Sequence, residues 1–347
     1  MKLVGLDIGT NYTKLTSDGK NVLMYPSIVA YGEEKDWSLK GETKGIYVGD
    51  QALSIIGAVE GVELYRPIQD GRIIHTSFME LAKYGLKKLN IEPEVVATGL
   101  PVKSSKKERE ELKSQLEKEL KTRVLVFPEP VGTLASMGID TGVCIDIGFG
   151  TTDIIVLSEM EYLRGDTMLT GVDKLYESLE VLIRDRIGIA VSPEEMTKML
   201  LNENYSVGRV RSGKKVSVRR EEVLNEYERI MKLWADKIIN KTKTLLEGLS
   251  TMLLENFVVT GGGVLLPKVF ETLQEGFSDI GEIKRPENPM TSNAMGYYAL
   301  AKTFLEKLEA EKKVEERVVE TKVEVKVEEK VERVDEEKEK RDKKRRT

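Results

Sequence analysis

Short apolar runs of strand length alternate along this chain with longer segments whose apolar residues recur at helical spacing. Leu3 to Leu6, Val22 to Tyr31 with a break at Pro26, Val95 to Leu100, Val124 to Phe127, Cys144 to Leu157 and Phe257 to Thr260 read as strands. Helical spacing marks Gln51 to Ala58, Thr76 to Leu89, Lys106 to Leu120, Val172 to Arg186, Glu221 to Leu249 and Ala294 to about Leu308. Start signals support several of these: Ser104-Ser105 caps one helix, and Ser192-Pro193-Glu194-Glu195 has capping-box spacing. Pro130 suits the first turn of a helix running to about Met137. Val207 to Val218 reads as a hairpin turning at Ser212-Gly213, and the polar stretch from Gly32 to Gly45, which carries Trp37, as an exposed loop. The alternation predicts an α/β fold.

One device occurs twice. Asp7-Ile8-Gly9 followed by Thr13-Lys14 returns as Asp146-Ile147-Gly148 followed by Thr152-Asp153, each after an apolar strand. Gly9 and Gly148 let the backbone turn tightly enough to aim successive N–H groups at an anion, which suggests a phosphate chain. A carboxylate beside phosphate needs a cation between them, so Asp7 and Asp146 are expected to hold Mg²⁺ through waters. Thr10 and Lys14 fit as donors to the terminal phosphates, although Lys14 taken alone reads as a solvated strand residue; Asn11 lies in the same turn, and Gly148, Gly150 and Thr151 would form the second nest. Gly261-Gly262-Gly263, entered from a strand, allows close approach to a base and ribose. Two aspartate-led turns imply one nucleoside triphosphate gripped from both sides.

At 347 residues the chain exceeds the size at which a single core stops growing, so two lobes are expected. Hydrophobic residues at 40% and aromatics at 6% exclude a wholly disordered chain. No apolar run approaches the roughly 20 residues that cross a bilayer, and the start lacks a signal-peptide pattern, so a cytoplasmic location is expected. A single cysteine, Cys144, excludes an internal disulfide and a cysteine-rich zinc site, and its strand setting predicts an inert packing thiol. The lone histidine, His75, reads as structural. The net charge of −5 points to no direct nucleic-acid binding, and the basic hairpin at Arg209, Arg211, Lys214, Lys215, Arg219 and Arg220 lacks interleaved aromatics and reads as a solvated lobe tip. Residues 309–347 hold 14 acidic and 14 basic side chains, so the body carries the whole net charge. No single apolar period is sustained there, and the tail reads as disordered, with a partner-binding segment as the alternative.

In series, these motifs resemble the actin superfamily of actin, MreB and ParM. GLDIGTNYTKL at 5–15 is similar to the first phosphate loop, YPSIVAY at 25–31 to the actin FPSIVG strand, and YVGDQAL at 47–53 to YVGDEA. YRPIQDGRI at 65–73 resembles RPLKDGVI of MreB, and PEPVGTLAS at 128–136 its EEPMAAA. CIDIGFGTTDIIVL at 144–157 is similar to the second phosphate loop and VVTGGGVLLP at 258–267 to the adenosine motif. Together they cover about residues 1–300. The compact length and the small insert between Val22 and Tyr65 look most like archaeal and plasmid-type ParM-like actins. Phe149 stands where actin has an acidic residue, and Asn11 where it has glycine.

The resemblance implies a two-lobed, actin-like (ribonuclease-H-like, duplicated) α/β fold with a nucleotide cleft between lobes. Domain I is then expected over 1–136 with an insert at about 22–65, and domain II over 137–282 with an insert at about 190–230. A C-terminal helix at 283–308 returns to domain I, and the tail occupies 309–347. The resemblance makes Glu129 the residue that positions the attacking water, against a bland reading as a dipole-favoured acidic helix start. It assigns Asp7 and Asp146 to Mg²⁺, and it places Asp173, Glu195 and Lys198 at the ribose and adenine. The function implied is an ATPase that polymerises head to tail into cytoskeletal or DNA-segregating filaments, with no membrane contact. The rivals are a monomeric nucleotide-dependent adaptor that recruits a partner through the tail, and a small-molecule kinase of the same superfamily.

Overall fold

Two five-stranded sheets of the same plan carry the two aspartate-led turns. The structure, a computed structural model, describes residues 2–32, 45–55, 62–307 and 309–310. The first sheet runs, in spatial order, Arg123–Pro128, Val95–Leu100, Leu3–Ile8, Tyr12–Thr16 and Leu23–Pro26. The second runs Ile283–Lys284, Phe257–Thr260, Gly142–Ile147, Thr152–Ser158 and Glu161–Met168. In each, a central strand pairs antiparallel with the strand after its turn and parallel with a strand from much later in the chain. The repeat read from two short motifs is therefore a repeat of whole sheets. The strand Glu161–Met168, which apolar runs did not reveal because its first four residues are exposed, completes the correspondence.

Register makes the duplication concrete. Asp7 lies opposite Lys14 in the first hairpin, and Asp146 opposite Asp153 in the second. Cross-strand partners share a face of the sheet, so each pair presents its two side chains together. Both turns close alike, with Gly9 N–H donating to the Tyr12 carbonyl at 3.2 Å and Gly148 N–H to the Thr151 carbonyl at 2.9 Å.

Amphipathic helices cover the sheets. Phe78–Leu89 and Lys106–Leu120 bury Phe78, Leu81, Leu86, Leu112 and Leu116 against Val4, Leu6, Leu15 and Val96 of the first sheet. Each such leucine or phenylalanine contributes roughly 1.5–3 kcal/mol by leaving water. Val172–Ile187, Leu224–Leu246 and Val269–Phe277 cover the second sheet in the same way. Ser105 and Ser192 each form a complete capping box, as their spacing predicted.

Residues 22–65 include a small sheet of Ile46–Val48, Val29–Tyr31 and Glu63–Tyr65 beside the helix Asp50–Ile55, and residues 190–230 include the helix Pro193–Leu201 and the predicted hairpin. The helix Glu129–Ser136 leaves the first sheet's edge strand yet packs Val131 and Leu134 on Cys144, Ile155, Leu157 and Val258 of the second. Burial pushes the Cys144 thiol well above its ordinary range, and Asp146 adds to the shift.

Residues Met1–Ala301 form one compact unit. In the other, Lys302–Thr347, the described residues 302–307 and 309–310 are helical. The loop with Trp37, the end of the helix expected to reach Ala58, and residues 311–347 of the charged tail lie outside the described residues. No described helix is long and apolar enough to cross a membrane.

Candidate functional site

The two aspartate-led turns face one cleft. A space of about 700 Å³, open to solvent, is lined by Asp7, Gly9, Thr10, Asn11 and Lys14 from one sheet and by Asp146 and Gly261, Gly262 and Gly263 from the other. It continues past Phe149 into a second space of about 620 Å³ lined by Thr10, Lys14, Glu129, Gly150 and Thr151.

Electrostatics mark the junction of the two spaces. Lys14 Nζ donates to Asp7 Oδ2 at 2.9 Å, and both side chains are largely buried. Burial works against the ammonium, but Asp7, then Asp146 and Glu129, outweigh it and raise its pKa. Burial pushes the Asp146 carboxyl up to about 7, opposed by the amide of Asn293 and reinforced by Asp7 and Asp153. Asp153 rises to about 6 for the same first reason, although Thr167 and the Val102 N–H hold its carboxylate. Burial raises Glu129 well above the ordinary range, with Asp153, Asp7 and Asp146 adding to it. Four carboxyl groups thus crowd a single ammonium, an excess of negative charge that a divalent cation relieves.

The donor set fits magnesium. Its oxygens are hard carboxylates. Among the described residues no three His, Cys, Asp or Glu side chains are placed to enclose a metal, so water and phosphate oxygens would complete the coordination. An acceptor in the same cleft stands ready for a donor such as a metal-bound water. Asn11, 7% exposed, has a side-chain oxygen with no partner inside the protein. Gly150 lies where a Cβ would stand 2.9 Å from Thr10 Oγ1, so the two turns meet with no room for a side chain. Gly261 adopts φ +89, and a Cβ there would stand 2.5 Å from Asp146 Oδ1.

Not every predicted residue reaches the cleft. Gly148 closes its turn but does not line the space. Asp173 is absent from the lining, and one of its oxygens is buried without a partner beside Lys174. Glu195 turns away: it accepts from the Ser192 N–H at 3.0 Å in the capping box and from Arg209 at 2.6 and 2.8 Å. Lys198 is exposed and lines neither space. The same helix instead presents Thr197 and Leu201, facing Val172, Tyr176, Leu266, Pro289 and Met290. Tyr176 hydroxyl and Thr197 Oγ1 lie 3.0 Å apart, and Phe149 meets Tyr176 edge-on at 5.9 Å.

An ion pair between distant segments also escaped the sequence. Arg66 donates to Glu194 at 2.6 Å across 128 residues of chain, and Glu194 is buried. The only sequence signal was that Glu194 precedes the capping glutamate and Arg66 opens the RPIQDG stretch.

The chain matches the family model of MreB/Mbl protein over residues 1–312. The cell shape-determining protein Mbl of Bacillus subtilis is 25% identical over 327 residues, which cover 84% of this chain and 93% of that protein. MreB5 of Spiroplasma citri bound to ADP is similar in structure with a TM-score of 0.71 at 22% identity, over 88% of this chain and 98% of that one. A MamK double helical filament is similar with a TM-score of 0.69 at 21% identity, over 86% of this chain and 98% of that one.

Proposed function

This chain belongs to the MreB/Mbl family and has the two-lobed actin-like fold, and from that premise we propose that it binds and hydrolyses ATP and assembles head to tail into a cytoskeletal filament. The observation that carries the reading is the pair of sheets whose Asp7–Lys14 and Asp146–Asp153 pairs stand in equivalent register, with Asp7, Lys14 and Asp146 lining one cleft. The division into a domain I over 1–136 and a domain II over 137–282, each with its insert, belongs to the same reading. The relative named for its role is a cell shape-determining protein, which favours shape scaffolding over the DNA segregation also expected from the sequence.

In this reading Thr10, Asn11, Gly150 and Thr151 hold the phosphate chain, and Lys14 places its charge on the terminal phosphates. Magnesium, held through waters by Asp7 and Asp146, supplies charge compensation at the phosphate oxygens. The base and ribose lie against Gly261, Gly262 and Gly263, with Tyr176, Leu201 and Met290 giving an apolar wall. Glu129 lines the phosphate end and orients the attacking water, since phosphoryl transfer needs mainly alignment and charge stabilisation. Nucleotide binds both lobes, so it favours the closed arrangement, and losing the γ-phosphate removes part of that preference. A head-to-tail contact between identical closed subunits repeats without closing on itself, which gives an open polymer like the filament of the MamK neighbour.

Light scattering and negative-stain imaging with ATP, with ADP and without nucleotide test this reading. Polymer that depends on ATP is the expected result. A protein that stays monomeric in all three conditions at high concentration would instead be a nucleotide-dependent adaptor.

A further inference from the structure

At the wall of the cleft, which Asn293 itself lines, four buried polar side chains join three segments that are far apart in sequence. Asn293 lies in the helical residues 292–301, and its amide is engaged at both ends. Its Nδ2 donates to Asp146 Oδ2 at 2.5 Å. Its Oδ1 accepts from the Thr133 N–H at 3.1 Å and from Thr133 Oγ1 at 2.8 Å. The orientation of the amide follows from its partners, because only the nitrogen can donate to a carboxylate and only the oxygen can accept from a backbone N–H. Thr133 Oγ1 also lies 2.7 Å from Ser292 Oγ, which lies 2.8 Å from Thr260 Oγ1. Thr133 and Thr260 are fully buried, and Ser292 and Asn293 nearly so.

This network ends on functional ground in each direction. Thr133 sits in the helix Glu129–Ser136, whose first residue is Glu129. Thr260 immediately precedes Gly261, and Asp146 holds its other oxygen toward that glycine. The helices leave little slack, since a Cβ on Gly296 would strike the carbonyl of Gly132. With Oδ2 committed to Asn293, Asp146 keeps Oδ1 for the cleft.

We propose that Asn293 is a positioning residue of the nucleotide site, fixing the Asp146 carboxylate for magnesium and coupling it to the helix that begins at Glu129. The inference rests on the ATP and magnesium reading above. Outer partners that orient a metal-binding carboxylate typically change metal affinity 10- to 100-fold when removed.

Calorimetric titration of ADP into the full chain, in EDTA and over a series of MgCl₂ concentrations, tests it. In Asn293→Ala the magnesium concentration for half-maximal tight binding rises about 10- to 100-fold, while ADP affinity in EDTA, which registers any direct contact of Asn293 with the nucleotide, falls by a smaller factor. A magnesium midpoint within twofold of the parent overturns the proposal, and so does an equal loss with and without magnesium, which marks a purely structural role. Should Asn293→Ala fail to fold, Thr133→Val removes one of the two bonds to Asn293 Oδ1 while leaving the backbone bond. It shifts the same midpoint several-fold in the same direction, and an unshifted midpoint overturns the proposal. If the parent itself shows no magnesium-dependent ADP binding, the reading of the cleft fails rather than the role of Asn293.

Discussion

Replacing Asp146 by asparagine makes the ligand-free protein more stable at pH 8 while destroying the proposed magnesium site. The Asp146 carboxyl is 7% exposed, has Asp7 and Asp153 as negative neighbours, and is pushed from 3.8 up to about 7. Between these values the folded chain holds a proton that the unfolded chain has released. Stability therefore falls as pH rises from about 4 to about 7 and stays low above that. At about 1.36 kcal/mol per pKa unit, the full displacement corresponds to at most about 4 kcal/mol. Asparagine keeps the shape, does not ionise, and still offers an oxygen to Asn293 Nδ2. Urea unfolding followed by circular dichroism in EDTA, from pH 4 to pH 8, reads the difference. The variant resists more urea than the parent at pH 8, and the gap closes by pH 4. A variant weaker than the parent at pH 8, or a gap independent of pH, refutes the reasoning that desolvation and like charge dominate at Asp146. In the same preparations magnesium-dependent nucleotide binding is lost.

Other substitutions separate the remaining roles. Glu129→Ala retains ATP binding but hydrolyses it about 10²- to 10⁴-fold more slowly, so its polymer persists; phosphate release at the parent rate removes the assigned role. Gly261→Ala costs at least about 1 kcal/mol because φ +89 disfavours a side chain. A melting temperature equal to the parent's contradicts that backbone reading. Glu194→Gln breaks the Arg66 pair and speeds nucleotide dissociation several-fold in stopped-flow measurements, with the melting temperature nearly unchanged because Arg66 is half-exposed. Unaltered dissociation means the pair does not hold the cleft mouth. Leu201→Ala, at a position 47% exposed, weakens ATP binding with little change in stability, and full affinity argues against an apolar wall at the base.

The end of the cleft proposed for phosphate was legible because its lining arises within a few residues. A strand, an aspartate and a glycine turn fix where Asp7, Gly9, Thr10 and Lys14 go whatever the rest of the chain does, and the same holds for Asp146, Gly150 and Thr151. Strand and helix periods likewise placed most of both sheets. The apolar end proposed for the base was not legible, since it is assembled from Val172, Tyr176, Thr197, Leu201, Leu266 and Met290, contributed by separate elements. Successive positions on a helix differ by about 100°. Glu195 and Thr197 therefore face in opposite directions, and the capping box that located this helix also commits Glu195 to Ser192.

Sequence alone thus determined the twin turns, the two-lobed fold and the charged lining of one end of the cleft, because local backbone geometry and hydrophobic period decide them. Tertiary structure decided the apolar end of the cleft, the Arg66–Glu194 bridge and the Asn293 network. In each of these, partners far apart in sequence meet only after helix rotation and sheet packing are set.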